Sequence, residues 1–456
     1  MIAFTDAQLL IDSLRLDARL GDIAARLVQF QERSAGITSP PTPSPERISS
    51  RSGDGVAKPG VRPVFPQKSS DSALASAQAV DWPALVHHAD GHSLTPLLYS
   101  VWRDAGVLAA LPPEIQTRLA KAYANNKIRN THIRSELIEI HQLLDNADVP
   151  HLVLKGWPLV ERLYADPAQR VLYDHDFLVP PDRAEAGHRA LKQAGFRPLP
   201  ARDAWIEKHL PALWRNDGYT WDGYLFDPRY PRPVELHLRL WEAGWRGLHV
   251  RSRQLPDLWA RAQTRTIAGV PMQVLGDEDT LVHLAMHFAG HLIEREARLN
   301  QLLDLARFQA STQLNWDIVL AQAEAANVSR FVYASLWLAH AIFGSPLPPD
   351  EVWTRLAAQT PPAFRRWLET QGVADVLTSD YRRKHKGKDY QLTFLAARSP
   401  LEWIGIVRFA ALPPLEQLMA KYRVAHRWQA ALLYPHYLSE RVWMYGRGLA
   451  SHRTNH

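Results

Sequence analysis

The sequence predicts an α+β protein in which a small mixed sheet, with helices of its own, is flanked by helical segments. Two observations predict this class. Apolar residues repeat at helical spacing before residue 148 and again after residue 250. The stretch between them instead contains short apolar runs and one strict two-residue alternation, which are typical of strands. Strand patterns are therefore confined to one mixed unit in the middle of the chain, between two helical regions, which favours the α+β class.

Length and composition narrow the class further. The 456 residues leave room for two or three domains, and the absence of cysteine excludes disulfides, zinc-thiolate sites and a cysteine nucleophile. A net charge of +6 suits ligands that carry phosphate. The N-terminus lacks a signal-peptide pattern, and the longest apolar stretch, near Phe331 to Phe343, is too short to span a bilayer. We therefore expect a cytoplasmic protein without a membrane span.

Five segments are predicted in order along the chain. Residues 1–34 have the pattern of an N-terminal helical segment, and the proline- and serine-rich residues 35–77 that of a disordered linker. Residues 78–147 form a helical segment that packs on the core, residues 148–250 form the core itself, and residues 251–446 form a C-terminal helical domain. The clearest core-facing helical stripe comprises Ile133, Leu137, Ile140 and Leu144.

Strands and helices are expected to alternate within the core. We predict a strand at 151–154, a helix at 157–164, a strand within 170–179, a helix at 182–195 and strands at 220–226 and 234–240.

Two aspartates in the second predicted strand, Asp174 and Asp176, are the first candidates for chemistry. Residues two apart on a strand point to the same face, so both carboxylates can converge on one hard cation. Divalent metals held by carboxylates and substrate phosphates are the usual means of handling nucleotides. An Asp-x-Asp pair alone is weak evidence, because many such pairs are merely solvated.

A third carboxylate is predicted on the strand at 234–240. Val234, Leu236, Leu238 and Leu240 face one way, and Glu235, His237 and Arg239 face the other. If this strand pairs beside the aspartate strand, Glu235 joins Asp174 and Asp176, and three carboxylates can hold two divalent ions about 3.5–4 Å apart. The alternative is a strand with an ordinary salt-bridged outer face.

An ordered set of motifs resembles the uncharacterised nucleotidyltransferase family of bacteria. The set begins with Leu154-Lys155-Gly156, a turn of the type "LKG", and continues with Tyr164-Ala165-Asp166-Pro167 and Arg170. The strand Asp174-His175-Asp176-Phe177-Leu178-Val179 and the later Glu235-Leu236-His237 complete it. The resemblance covers roughly residues 80 to 310 and implies a polymerase-β-like nucleotidyltransferase fold.

The resemblance also implies an activity and a set of roles. The expected reaction moves a nucleoside monophosphate from an NTP to the hydroxyl or amine of an unidentified small molecule, peptide or protein, and pyrophosphate leaves. Two Mg²⁺ ions, with Mn²⁺ as a substitute, would be held by Asp174, Asp176 and Glu235, and Glu235 could instead accept the acceptor's proton. Lys155, Gly156 and Arg170 would hold the triphosphate.

Two departures from the wider superfamily leave alternatives open. No serine follows Gly156, where that superfamily grips phosphate, and His175 replaces the usual aliphatic residue between the aspartates. A catalytically silent nucleotide-binding or scaffold protein is one alternative. An accessory partner-binding protein of peptide or polysaccharide biosynthesis is the other. Lys155 could also be a solvated strand-end residue, and Arg170 could pair with Asp174 or Asp166.

Histidines and one basic run are the remaining candidates. His283, His287 and His291 recur on one helical stripe, where they could ligate zinc, line a cleft together with His237, or serve packing. The run 381–388 is strongly basic but lacks interleaved aromatic residues, so a solvated loop is favoured and binding of nucleic acid is not indicated.

Overall fold

A computed structural model describes residues 10–14, 81–199, 207–215, 218–251, 258–371 and 390–452, with only the backbone described from residue 444 onward. The predicted linker at 35–77, the basic run at 381–388 and most of the predicted helical segment at 1–34 lie outside the described residues.

Helices precede the sheet, as predicted. They are α1 (Trp82–Gly91), α2 (Thr95–Asp104) and α3 (Pro113–Asn146). The predicted stripe of α3, from Ile133 to Leu144, is buried against Phe177 and Leu236 of the sheet. The same helix face therefore carries the packing that the periodicity indicated.

A seven-stranded mixed sheet forms in the described chain, in the order β3-β4-β5-β2-β1-β7-β6. Its strands are β1 (Leu152–Val153), β2 (His175–Leu178), β3 (Arg197–Pro198), β4 (Leu213–Trp214), β5 (Val234–His237), β6 (Gln263–Ile267) and β7 (Val270–Val274). Helices α4 (Trp157–Leu163) and α5 (Ala184–Gln193) connect its first strands, where helices were predicted. The α+β class with flanking helices is confirmed.

The strand predicted at 220–226 is wrong, because this segment is an irregular loop. Gly223 has a φ of 96°, a value that strands do not use. The Asp222 side chain accepts a hydrogen bond from the backbone N–H of Tyr224 at 2.9 Å, and the Trp221 indole donates to the Tyr224 carbonyl. This local turn chemistry outweighs the aromatic content that suggested a strand.

A hairpin within the region expected to be helical was missed. Strands β6 and β7 pair antiparallel through a turn at Ala268 and Gly269, both of which have positive φ. Since β7 pairs in parallel with β1, the sheet extends to Val274, beyond the predicted core limit at residue 250. The division of the chain into domains remains a prediction.

Helices follow the hairpin through the rest of the described chain. They are α6 (Asp277–Ile293), α7 (Leu299–Ser311), α8 (Trp316–Ala325), α9 (Ser329–Phe343), α10 (Asp350–Ala358), α11 (Pro362–Glu369), α12 (Gln391–Ala396), α13 (Pro400–Ala411), α14 (Leu415–Tyr422), α15 (Arg427–Leu432) and α16 (Tyr434–His452). In the described residues no helix combines the length and the apolar character that crossing a bilayer requires.

Candidate active site

The strands that carry the predicted acidic residues are neighbours. Strands β2 and β5 pair in parallel, and Asp176 is the register partner of Glu235. One oxygen of each carboxylate and one ring nitrogen of His237 lie within 4.8 Å of one another. The expected pairing of the two strands is confirmed, and it brings Glu235 to the aspartates.

Lys155 joins the two aspartates. Its ammonium is ion-paired with Asp176 and lies 3.5 Å from Oδ1 of Asp174. The two carboxylates are therefore separated by no more than twice that distance. Only 12% of the Lys155 side chain is exposed, so the interpretation of this residue as a solvated strand-end lysine is wrong.

The turn after Lys155 requires glycine. Gly156 has a φ of 83°, in the left-handed region that L side chains rarely adopt. Both residues line the same cleft as Asp174 and Glu235. The helix that follows, α4, has seven residues and a proline at its second position, so it offers few free N–H groups. Phosphate binding by Gly156 therefore remains a prediction.

His237 links the two strands beneath the cleft. Its Nε2 lies 2.9 Å from Asp176 Oδ1 and 3.3 Å from Glu235 Oε2. Burial alone would lower the pKa of His237, but these two carboxylates outweigh it and raise the pKa. The ring is buried and does not line the cleft, which corrects its predicted position.

The charges of the cluster are unbalanced. Burial would raise the pKa of Asp176 and of Glu235, but Lys155 and His237 hold the pKa of Asp176 well below its usual range, and the hydrogen bond from His237 lowers that of Glu235. Burial and then the charge of Asp176 raise the pKa of Asp174. Three carboxylates thus share a site in which the contacting basic groups are Lys155 and the rings of His237 and His209.

This donor set suits a hard divalent cation. Oxygen ligands from Asp174, Asp176 and Glu235 are of the type that Mg²⁺ prefers. An additional positive charge would relieve the repulsion that raises the pKa of Asp174. Because Lys155 contacts both aspartates, a bound ion would require its flexible side chain to turn away.

Helix α3 positions the chain that leads into the aspartate strand. The Asn126 side chain donates to the carbonyls of Ala168 and Arg170 at 2.8 and 3.1 Å, and Asn130 also donates to Arg170. The Arg129 guanidinium donates to the carbonyl of Leu172 at 2.7 Å. These polar residues were missed, although they continue the buried face of Ile133 and Leu137 at helical spacing. Polar residues at core positions were the available signal.

Two further interactions fix the aspartate strand. His175 points away from the carboxylates, as expected, and its Nε2 lies 3.2 Å from Oε2 of Glu136 on α3. Arg232 forms two hydrogen bonds of 2.6 Å with the same glutamate. Burial would raise the pKa of Glu136, but Arg232 and His175 lower it to about 2.

Arg170 has a different partner from those predicted. Its guanidinium binds Asp304 of α7 with hydrogen bonds of 2.7 and 3.0 Å, and the Tyr164 hydroxyl donates to the same carboxylate at 2.6 Å. The pairing with Asp174 or Asp166 is wrong. Arg170 still lines the cleft, and its predicted contact with a nucleotide remains untested.

The histidines of α6 divide between the cleft and the core. His287 and His291 line the cleft, and His287 Nε2 accepts from the Gln301 amide at 3.2 Å. His283, one turn earlier on α6, is buried and does not line the cleft, so its predicted position at the cleft is wrong. Burial and then Lys155 lower the pKa of His283 to about 3, so this ring is neutral.

The cleft is large and is shared between segments. It has a volume of about 1500 Å³ and is lined by residues of α1, the Lys155 turn, the Asp174 loop, the 221–235 stretch, α6 and α7. Such a volume accommodates a nucleotide together with part of a second substrate.

The site combines a mixed sheet, Asp174 directly before β2, Asp176 on β2, Glu235 in register with Asp176, and a wide cleft, which agrees with the class of enzymes that transfer nucleotidyl groups. Residues 78–344, more than half of the chain, match the model of a family described as "Uncharacterised nucleotidyltransferase". The protein belongs to this family, as the motifs indicated. Comparison with curated proteins and with solved structures found no match.

Proposed function

We propose that the protein transfers a nucleoside monophosphate from an NTP to the hydroxyl or amine of an acceptor, with Mg²⁺ as cofactor. The observation that carries this proposal is that Asp174 and Glu235 line the 1500 Å³ cleft while Asp176, the register partner of Glu235, lies buried directly behind them. Asp174, Asp176 and Glu235 would hold the metal, which supplies charge neutralisation for the triphosphate and for the leaving pyrophosphate.

Glu235 and Lys155 would each have a role in the proposed transfer of the nucleoside monophosphate. The acceptor atom forms a bond to the α-phosphorus while the bond from that phosphorus to the bridging oxygen of pyrophosphate breaks. Glu235 is partly open to the cleft, and where it does not hold the metal it would instead accept the acceptor's proton. Lys155 moves from the aspartates to the triphosphate, where its charge favours binding.

A silent nucleotide-binding protein is the second candidate. The observation in its favour is the Lys155 ammonium, which already contacts Asp174 and Asp176 and competes with a metal for them. Binding of NTP and Mg²⁺ without release of pyrophosphate would identify this case. Binding can be followed by isothermal titration, and turnover by a pyrophosphate assay.

The decisive experiment uses the four α-labelled NTPs with Mg²⁺ and cell lysate as the source of acceptor. We expect label to pass to one class of acceptor, and Asp176→Asn to lower the rate about 100-fold or more, since charge stabilisation by a metal contributes several kcal/mol. Asp182→Asn, at an exposed carboxylate outside the cleft, is the matched control and should leave the rate unchanged. Equal rates for Asp176→Asn and the wild type would refute the proposal.

A further inference from the structure

Exposed apolar side chains concentrate at the C-terminal end of the described chain. Of the twelve large apolar side chains that are exposed in the described residues, ten lie between Leu401 and Trp443. We call these ten the C-terminal apolar surface: Leu401, Trp403, Ile404, Val407, Leu412, Trp428, Leu432, Leu438, Val442 and Trp443. All lie beyond the residues that match the family model.

Helix α13 presents its apolar side to solvent because its other side is fixed. Glu402 is buried and accepts hydrogen bonds from Arg330 at 2.8 and 2.9 Å and from the N–H of His249 at 2.9 Å. The backbones of Gly405 and Gly247 are in contact, and a Cβ on either would clash with the other. The rotation of α13 is thereby set, and its outward side carries Ile404 and its apolar neighbours.

The outward side of α13 is apolar over a wide arc. Successive helical residues are 100° apart, so Leu401, Ile404 and Val407 lie on the side away from Ile406 and Glu402, and Trp403 lies at its edge. A surface helix normally has the reverse pattern, with its apolar stripe facing the core. An exposed stripe of this kind is typical of a surface that binds something else.

Helix α16 lies beside the end of α13. The hydroxyl of Tyr434 donates to the carbonyl of Pro413 at 2.6 Å, and that of Tyr437 donates to Ala410 at 3.3 Å. Leu438 and Val442, four residues apart, are exposed on α16. Apolar exposure therefore recurs on the helix that contacts the end of α13.

The charges of this region favour an anionic partner. Between Arg398 and Trp443 the acidic residues are Glu402, Glu416 and Glu440, and each is ion-paired, with Arg330, Arg427 and Lys421 respectively. Arg408 and Arg423 are exposed and have no acidic partner among the described residues. Apolar side chains, tryptophans and arginines without exposed free acids are the composition of helices that lie in a membrane interface.

We propose that the C-terminal apolar surface docks the protein on a membrane that contains anionic lipids. A second copy of the chain fits less well, because a two-fold contact would bring Arg408 and Arg423 of both copies into one interface without acids to compensate them. On a membrane, the aliphatic side chains enter the acyl boundary and the arginines remain at the phosphates. This inference does not depend on the proposed reaction.

Sedimentation with vesicles tests the proposal. We expect the full chain to sediment with vesicles in which phosphatidylglycerol replaces part of the phosphatidylcholine, and much less with phosphatidylcholine alone. Ile404→Asp should lower the affinity about tenfold or more, the effect of withdrawing one buried isoleucine. Arg408→Glu should lower it about fivefold or more, and on the anionic vesicles only.

The control is Ile128→Asp, at an exposed isoleucine of α3 outside the C-terminal apolar surface, which should bind vesicles like the wild type. Thermal unfolding of each variant checks that it is folded. Absence of vesicle binding by the wild type, or equal binding by wild type and Ile404→Asp, would overturn the proposal. So would an oligomer that Ile404→Asp dissociates in light scattering, because a second copy would then cover the surface.

Discussion

At the scale of single residues, Lys155 decides whether the site binds a metal ion or the protein is catalytically silent. Its ammonium contacts Asp174 and Asp176, and burial, which would lower its pKa, is outweighed by these carboxylates, which raise it. The lysine therefore remains charged at neutral pH and competes with any cation for the aspartates. Its long side chain allows the ammonium to move to a triphosphate instead.

Lys155→Met should strengthen the binding of Mg²⁺ in the absence of nucleotide and weaken the binding of NTP. The first effect follows because Asp174 and Asp176 lose the ammonium that contacts them both, and the second because the triphosphate loses a positive partner. Titration calorimetry with Mg²⁺ alone and then with NTP measures both. Lys192→Met, at an exposed lysine of α5, is the control, and weaker binding of Mg²⁺ by Lys155→Met would contradict the assignment.

Residue patterns predicted some of the site and missed the rest. The alternation at 234–240 placed Glu235 on the carboxylate face because strand geometry is local. The pairing of Arg170 was mispredicted because its partner, Asp304, is 134 residues away in sequence. Spacing reveals which residues share a face of one element, but not which distant element packs against that face.

At the scale of elements, α3 is a scaffold for the active-site loop as well as a core helix. Arg129 is fully buried and donates to the carbonyls of Leu172, Tyr230 and Asp227 at 2.7, 3.0 and 3.2 Å. It ties the segment before the aspartates to the loop before β5. Burial lowers its pKa to about 10, which leaves it charged at neutral pH.

Arg129→Met should lower the free energy of unfolding by about 3 kcal/mol or more, because hydrogen bonds from a charged donor are worth about 1.5–3 kcal/mol each and the carbonyls would stay buried. Urea unfolding measures this loss. Transfer activity should fall as well, since the loop that carries Asp174 loses its support. Lys127→Met, on the solvent face of the same helix, should change neither property.

The elements themselves were predictable where one physical signal dominated. The α3 stripe and the helices of the core followed from apolar spacing. The loop at 220–226 was mispredicted because Asp222 and Gly223 form a turn within an aromatic stretch. The hairpin at 263–274 was missed because its first strand is polar from Gln263 to Thr266 and its second contains Pro271, so neither shows the apolar alternation of a strand. The turn at Ala268 and Gly269 was the available signal.

At the scale of the whole molecule, one buried ion pair fastens α13 to α9. Arg330 and Glu402 are both almost fully buried, and Glu402 also accepts from the backbone of Arg398 and of His249. A buried carboxylate that loses its charge leaves Arg330 without a counter-charge, which is costly. The placement of α13, and of the exposed apolar side chains that it carries, thus depends on the ionisation of Glu402.

The free energy of unfolding should consequently fall at acidic pH, because the ion pair between Arg330 and Glu402 is lost when Glu402 is protonated. Burial would raise the pKa of Glu402, but the bonds from Arg330 and the backbone lower it below the value of an unfolded glutamate. The stabilisation is therefore complete above the unfolded pKa of about 4.3 and is lost as the pH falls through the lower pKa of the folded state.

Glu402→Gln should lower the free energy of unfolding at pH 7 by about 3 kcal/mol or more, because it leaves Arg330 buried and unpaired. Urea unfolding of the wild type and of Glu402→Gln at a series of pH values should show the difference between their free energies of unfolding shrinking below about pH 4, where Glu402 of the wild type becomes protonated as well. Glu351→Gln, at an exposed glutamate of α10, is the control and should have the free energy of unfolding of the wild type at each pH. A difference between Glu402→Gln and the wild type that stays constant with pH would contradict the role of Glu402.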